Sequence, residues 1–333
     1  WQVGWFHVTG EVPRDWAGRA VAARLEIDGE ICIYDHEGCP IDGLTSTSIY
    51  FPNWLHDRHL LFEQAVGGEK IDFWFEATAA KMTGVNRKTD PPRDDDQRHG
   101  TYTAKARRLS LCVFDRQRWH LFLDANVLAL QMQGLPEKSV RRKRLIRALC
   151  DAWNRTAPGL TPQTIAEARE ILSPLLASPA AESDLRTVAT GHAHLDTGWL
   201  WPIEEGIRKC SRTFSRQLAM LDRYPEYVFG ASQAQHYAFV KEHYPKLFER
   251  IKAAVAAGRW EVQGIMWVES DTNLIGAESM VRQVLQGHRF FRDELGVEVR
   301  NLWLPDVFGY SWALPGVLHD AGIPSIMKQK PAG

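Results

Sequence analysis

The chain has 333 residues, enough for two domains or one large one. Its formal net charge of -1 provides no global attraction to nucleic acid or to an acidic membrane surface, so we predict neither partner. No apolar run is long enough to span a bilayer. The five cysteines form no CxxC pair, which indicates reduced thiols. We expect a cytoplasmic protein, and an incomplete N-terminus because the chain begins at Trp1.

Residues 1–120 are predicted to form a β-rich accessory domain. Short runs of β-branched and aromatic residues are separated by turn signals such as Asp28-Gly29 and Gly67-Gly68. This pattern favours a β-sandwich. The polar segment 86–99 is predicted to be an exposed loop.

Residues 121–180 are predicted to form a helical linker region. Leu121, Ala125, Leu128 and Met132 have helical spacing. A second helix is expected over residues 137–153. A third should start after an N-cap at Thr161 and extend to about residue 176.

From residue 181 to 333 the pattern alternates between strand and helix. Strands are expected at residues 185–190, 228–231, 260–262, 301–304 and 323–327, with helices after the first four. Such βα units form parallel sheets or barrels. We therefore predict an α/β catalytic domain that is the N-terminal part of a parallel β/α barrel.

A histidine-rich segment follows the first of these predicted strands. His192, His194 and Asp196 alternate, so in an extended chain they would lie on one face at the strand end. Two imidazoles and a carboxylate at one point are suited to a divalent metal ion, with zinc the best match. The alternative is that one histidine caps a turn and Asp196 caps the following helix.

Other polar and aromatic residues follow the later strands. Asp306 comes directly after the fourth strand and is either a helix N-cap or a catalytic carboxylate or metal ligand. Trp199, Glu269, Asp271 and Tyr310 would lie on the same rim, where barrel enzymes place their working groups. This set suits a polyhydroxylated ligand better than an apolar one.

Four segments resemble the α-mannosidases of glycoside hydrolase family 38, especially the cytosolic and bacterial branch. They are GHAHLDTGWLWPIEEGIRKCSR (191–212), ASQAQ (231–235), GRWEVQGIMWVESDTN (258–273) and WLPDVFGY (303–310). The β-rich N-terminal region is similar to the accessory domain of that branch. The resemblance implies a seven-stranded β/α barrel and retaining, zinc-dependent hydrolysis of terminal α-mannosidic bonds in glycans or oligosaccharides.

The resemblance also implies roles for individual residues. His194 and Asp196 would be zinc ligands, and Asp306 would be both nucleophile and metal ligand. Trp199 would line the sugar site, and we expect Glu269, Asp271 and Tyr310 to contact substrate. His192 matches a histidine that is not usually a ligand in the family. One Zn²⁺ is expected, with another divalent ion such as Co²⁺ as the alternative.

The family's general acid and a fourth zinc ligand, a histidine, would lie beyond residue 333. We therefore expect an N-terminal fragment that is inactive alone. An incomplete parallel barrel exposes a strand edge and apolar surface, so this span is expected to aggregate or express poorly. The sequence leaves a homo-oligomer open.

Two other functions compete with this interpretation. One is a zinc hydrolase acting on a different bond, such as an amide, which would leave the Asp306 carboxylate without a role. The other is a sugar- or metal-binding protein without turnover. The chain has no GxSxG, P-loop or GxGxxG motif, which disfavours acyl-transfer and nucleotide chemistry.

Overall fold

A computed structural model of the chain describes residues 2–45, 56–80, 104–179 and 186–328. The predicted loop at 86–99 lies outside these ranges. The described part of the N-terminal region contains the strands β1 (Val3–Glu11), β2 (Val21–Ile27), β3 (Glu30–Tyr34), β4 (Pro40–Thr45), β5 (Arg58–Phe62), β6 (Lys70–Thr78) and β7 (Ala106–Val113).

These strands form two antiparallel sheets with the orders β1-β6-β3-β4 and β5-β2-β7. Alternate residues of β6 are buried at Ile71, Phe73 and Phe75, as expected when one face of a strand covers a core. They pack in one cluster with Val21 and Leu25 of β2, which belongs to the other sheet. The sheets therefore face each other, and the predicted β-sandwich is present.

Three helices follow, α1 (Arg116–Gly134), α2 (Val140–Thr156) and α3 (Pro162–Leu176). The predicted N-cap of α3 is present: Thr161 accepts a hydrogen bond from the Thr164 backbone N–H, and the Thr164 hydroxyl accepts one from the Thr161 N–H. Leu128, Leu145 and Leu172 join the three helices in a small core of their own.

Alternating strands and helices make up the rest of the described chain. They are β8 (Gly191–His192), α4 (Ile203–Arg223), β9 (Phe229–Ala231), α5 (Ala234–His243), α6 (Pro245–Ala256), β10 (Trp260–Val262), α7 (Ala277–Leu295), β11 (Asn301–Leu304), α8 (Leu314–Asp320) and β12 (Ser325–Lys328). The strands form a parallel sheet of order β10-β9-β8 and a parallel pair β11-β12. The fold is thus mixed α/β, and closure into a seven-stranded barrel stays a prediction.

The two parallel sheets share one core. Phe214, Tyr237 and Trp260 pack ring against ring, and the cluster that contains them also contains Leu302 of β11. The backbone N–H of Ile265, just after β10, donates to the carbonyl of Asn301 at 3.0 Å. Both sheets are therefore parts of one domain.

The first strand of this domain begins later in the chain than the sequence predicts. Residues 186–190 form no regular structure and are exposed, with Val188 93% exposed, whereas the strand covers Gly191–His192. The β-branched residues of this run favour an extended chain, but a strand also needs a hydrogen-bonded neighbour. Pairing with β9 begins only where Gly191 lies opposite Phe229.

Helix α4 joins the domain of parallel sheets to the β-sandwich. A Cβ on Gly43 of β4 would overlap the backbone carbonyl of Arg212 on α4, so helix and sheet are in direct backbone contact. The buried guanidinium of Arg212 is paired with Glu205 of the same helix and lies 3.8 Å from the Glu30 carboxylate of β3. Arg216 of α4 donates to Asp42 of β4 at 3.2 Å. Paired charges and close packing thus hold the two domains together.

Candidate active site

The segment after β8 carries the histidine motif in irregular backbone. Regular structure stops at His192 and resumes with α4 at Ile203, so the side chains between are placed by tertiary contacts. The indole N–H of Trp201 donates to the Asp196 carbonyl at 3.3 Å. A Cβ on Gly206 would overlap the Thr197 carbonyl, which brings the first turn of α4 against this segment.

Three of the predicted site residues come together at one point. His194 Nε2 lies 3.5 Å from Asp196 Oδ1 and 3.8 Å from Asp306 Oδ2. Potential ligand atoms of these three residues all lie within 4.8 Å of one another. Asp306 follows β11, so the cluster joins strand ends that are more than a hundred residues apart in sequence.

This cluster has the chemistry of a divalent-cation site. Ligand atoms bound to a tetrahedral zinc ion lie roughly 3.3–3.6 Å apart. The distances of 3.5 Å and 3.8 Å from His194 Nε2 to the oxygens of Asp196 and Asp306 are close to that range. His194 Nε2 is buried and makes no well-aligned hydrogen bond to any described residue, so a cation bound here would give this nitrogen a partner. One imidazole and two carboxylates are a donor set that zinc and similar divalent ions accept.

Two carboxylates act on the imidazole of His194. Burial alone lowers the pKa of this imidazole, but the carboxylates of Asp196 and Glu269 outweigh that effect and raise the pKa to about 10. A site that holds a proton this firmly also favours a metal cation in its place.

Asp306 lies in a loop fastened to the segment after β10. The hydroxyl of Thr272 donates to the Gly309 carbonyl at 3.3 Å and accepts from the Ser311 N–H at 2.9 Å. A Cβ on Gly309 would overlap the carboxylate of Asp271. The Asp306 side chain remains 50% exposed, so it is both held near His194 and accessible to a ligand.

His192 does not join the cluster, contrary to the convergence predicted from alternation. Its Nδ1 lies 3.0 Å from the Gly230 carbonyl, and its Nε2 accepts from the indole N–H of Trp303 at 3.3 Å. Both ring nitrogens are therefore engaged by neighbouring strands. Strand geometry ends at His192, so strict alternation does not continue to residues 194 and 196.

Glu269 and Asp271 lie near the cluster, but neither carboxylate is freely presented. The Glu269 side chain is only 5% exposed, and its Oε2 lies 3.2 Å from His194 Nδ1. Asp271 Oδ1 accepts from the Asn273 N–H at 2.9 Å and forms a turn. The Glu269 carboxylate faces a histidine, and its contact with substrate stays a prediction.

Trp199 and Tyr310 belong to the two segments that carry the cluster residues, and their contact with a sugar stays a prediction. Trp199 is 50% exposed and packs edge to face on Trp201, with centroids 5.4 Å apart. The Tyr310 hydroxyl donates to the Leu304 carbonyl at 2.9 Å, which closes the loop that carries Asp306.

Gln233, after β9, has a structural role that the sequence did not single out. Its φ of 67° is unusual for a residue with a side chain, and the residue is buried. Its amide nitrogen donates to the Leu195 carbonyl at 2.7 Å, and its oxygen accepts from the Thr197 hydroxyl at 3.1 Å. Nothing in a single sequence marks a strained glutamine, so sequence reasoning could not find this role.

Comparison with known proteins shows similarity along nearly all of the chain. Residues 184–332 match the family described as the glycosyl hydrolases family 38 N-terminal domain, and residues 1–108 match an α-mannosidase jelly roll domain. The chain is 34% identical, over 99% of its length, to alpha-mannosidase 2C1 of Homo sapiens and to alpha-mannosidase G of Dictyostelium discoideum. It is 30% identical, again over 99% of its length, to an alpha-mannosidase of Saccharomyces cerevisiae.

The chain spans only 31%, 30% and 31% of the length of these three relatives, respectively. Within the described residues, no helix is both long and apolar enough to cross a bilayer.

Proposed function

Because the chain belongs to glycoside hydrolase family 38, we propose that it supplies metal ligands and the nucleophile of an α-mannosidase active site. The substrate would be a terminal α-mannosidic bond in a glycan or oligosaccharide. The cluster of His194, Asp196 and Asp306 at the strand ends is the observation that carries this proposal.

In this proposal His194 and Asp196, with Asp306, hold one Zn²⁺, and Co²⁺ is the alternative ion. When bound, the ion supplies positive charge that orients the 2- and 3-hydroxyls of mannose and favours the distorted ring of the transition state. Support comes from the buried Nε2 of His194 and from the two carboxylates that face it.

Asp306 would be the nucleophile of a retaining mechanism. Its half-exposed carboxylate would attack the anomeric carbon and form a glycosyl ester, which water then hydrolyses. The reaction also needs a general acid about 5–5.5 Å from the nucleophile, and we assign no residue of this chain to that role.

The aromatic rim would position the sugar. The exposed face of Trp199 offers a flat apolar surface for the ring carbons of mannose. Tyr310 and Asp271 would contact hydroxyl groups at the edge of the site, next to the Asp306 loop.

The test is hydrolysis of an aryl α-mannoside by the longest reading frame that contains this chain. We expect turnover that a chelator abolishes and zinc restores. Asp306→Ala should remove turnover, and a fluorinated mannosyl fluoride should label the peptide that contains Asp306. The exposed Asp320→Asn is the matched control.

Two outcomes would favour the other candidate functions. Cleavage of an amide without glycosidase activity would indicate a different zinc hydrolase. Mannose binding without product release would indicate a binding protein.

We also propose a cytoplasmic location and a mannose-containing oligosaccharide as the partner. All five cysteines are free thiols, which is typical of a reducing compartment. Disulfides found in the protein isolated from its source would contradict this location. A homo-oligomer remains a prediction that light scattering would decide.

A further inference from the structure

Glu269 is a buried carboxylate with a single histidine partner. Its Oε2 lies 3.2 Å from His194 Nδ1, and neither atom has a hydrogen-bond partner elsewhere in the described ranges. The other ring nitrogen, Nε2, faces Asp196 and Asp306. The imidazole of His194 therefore lies between Glu269 on one side and the proposed metal ligands on the other.

We propose that Glu269 is a positioning residue that holds the proton of His194 on Nδ1 and aims the lone pair of Nε2 at the metal. This inference rests on the metal site of the proposed function and assigns a role to a residue that does not itself touch the ion. A carboxylate behind a ligating histidine fixes its tautomer and ring orientation and raises its basicity.

Two neighbouring residues keep Glu269 in place. The Ser232 hydroxyl donates to Glu269 Oε1 at 2.5 Å, so the second carboxylate oxygen is also engaged. The Glu269 backbone N–H donates to the side-chain oxygen of Gln233 at 3.2 Å. Because both oxygens and the backbone are fixed, the carboxylate has little freedom to turn towards a substrate.

The strained backbone of Gln233 fits the same role. A non-glycine residue at its φ of 67° has a strained backbone, which persists only where surrounding contacts enforce it. The Gln233 amide binds the Leu195 carbonyl, the Thr197 hydroxyl and the Glu269 N–H. One side chain thus sets the position of the His194 segment relative to the positioning carboxylate.

The test measures metal release from the longest reading frame containing this chain, loaded with zinc, on mixing with a chromophoric chelator. Glu269→Ala should release the metal roughly 10–100-fold faster than the parent protein. Glu269→Gln should lie between, because its amide oxygen still accepts from Nδ1–H but carries no charge. Glu261→Gln, an exposed carboxylate on the neighbouring β10, is the matched control and should release metal at the parental rate.

Two further readouts separate positioning from a general loss of structure. Cobalt-loaded Glu269→Gln should show shifted d–d absorption bands, because the imidazole is no longer held in the same orientation. Its kcat on an aryl α-mannoside should fall and recover in part with excess zinc, with KM changed by less than about twofold. The nearly isosteric Gln variant keeps the test valid if the Ala variant does not fold.

The inference is overturned if both variants release metal at the parental rate, or if KM rises tenfold while the cobalt spectrum is unchanged. The second result would make Glu269 a substrate contact. A parent protein that binds zinc but hydrolyses no mannoside would refute the proposed function, and the metal-release comparison would still decide the role of Glu269.

Discussion

Replacing Arg212 by methionine should destabilise the protein strongly, because this guanidinium neutralises carboxylates that are removed from water. Glu205 is 0% exposed, and Arg212 is 5% exposed. Burial by itself raises the pKa of Glu205, but Arg212 outweighs that effect and holds the pKa below its ordinary value. Removing one partner of a buried ion pair typically destabilises a protein by about 3–5 kcal/mol.

The remaining contacts of Glu205 set the expected magnitude. Arg208 still donates to Glu205 Oε2 at 2.8 Å, so the carboxylate is not left entirely without a cation. We therefore expect the lower end of the range, about 3 kcal/mol. This is a large part of the roughly 5–15 kcal/mol that stabilises an ordinary domain.

Urea unfolding followed by tryptophan fluorescence measures this effect as a shift in the midpoint at constant slope. The control is Arg282→Met, which removes an exposed pair with Glu278 and should change stability by less than about 1 kcal/mol. The double variant Arg212→Met/Glu205→Leu should recover part of the loss, because the carboxylate paired with Arg212 is then removed together with it, whereas Glu30 still loses this cation. Equal midpoints for Arg212→Met and Arg282→Met would refute the reasoning.

Other regions of the molecule give further predictions. Gly287→Ala in α7 should destabilise the fold by about 1–3 kcal/mol despite the better helix propensity of alanine, because its Cβ would overlap the backbone after β10; an unchanged thermal midpoint would contradict this. A maleimide should label Cys150 in the native protein, whereas Cys32 is buried, which raises its pKa to about 12, and should react only in urea. Equal rates of labelling without urea would show that Cys32 is accessible in the native protein. Burial lowers the pKa of His236 to about 3, so the unfolded state binds this proton more readily. Stability should thus fall as the pH is lowered from about 6.5 towards 3, and His236→Gln, but not the exposed His319→Gln, should flatten that dependence in urea titrations at several pH values.

Most of the fold could be predicted from local sequence patterns. A helix, α7, follows the third predicted strand as expected, and strands β10 and β11 have the predicted bounds of 260–262 and 301–304, because apolar spacing and flanking turn residues are local properties. The predicted N-cap at Thr161 is confirmed for the same reason. The family was also recognisable from ordered motifs, and that prediction is confirmed by the family matches.

Features that depend on tertiary contacts could not be predicted from local sequence patterns. The alternation of His192 with His194 suggested one shared face, but the strand ends at His192, and Trp303 occupies its Nε2. The opposite roles of the two histidines depend on which neighbour reaches each ring. The Glu269–His194 pair joins residues 75 positions apart, and sequence spacing gives no information about such a contact.

The backbone contact between Gly43 and Arg212 bears on how this protein can be inherited and engineered. The helix that receives the sandwich, α4, is also the helix that follows the histidine segment directly. A β-sandwich from another protein would need a glycine at the position of Gly43. It would also need carboxylates at the positions of Glu30 and Asp42, which face Arg212 and Arg216. The two domains are therefore expected to be inherited as one unit. Chimeras that exchange only the β-sandwich should fail to pack at its contact with α4.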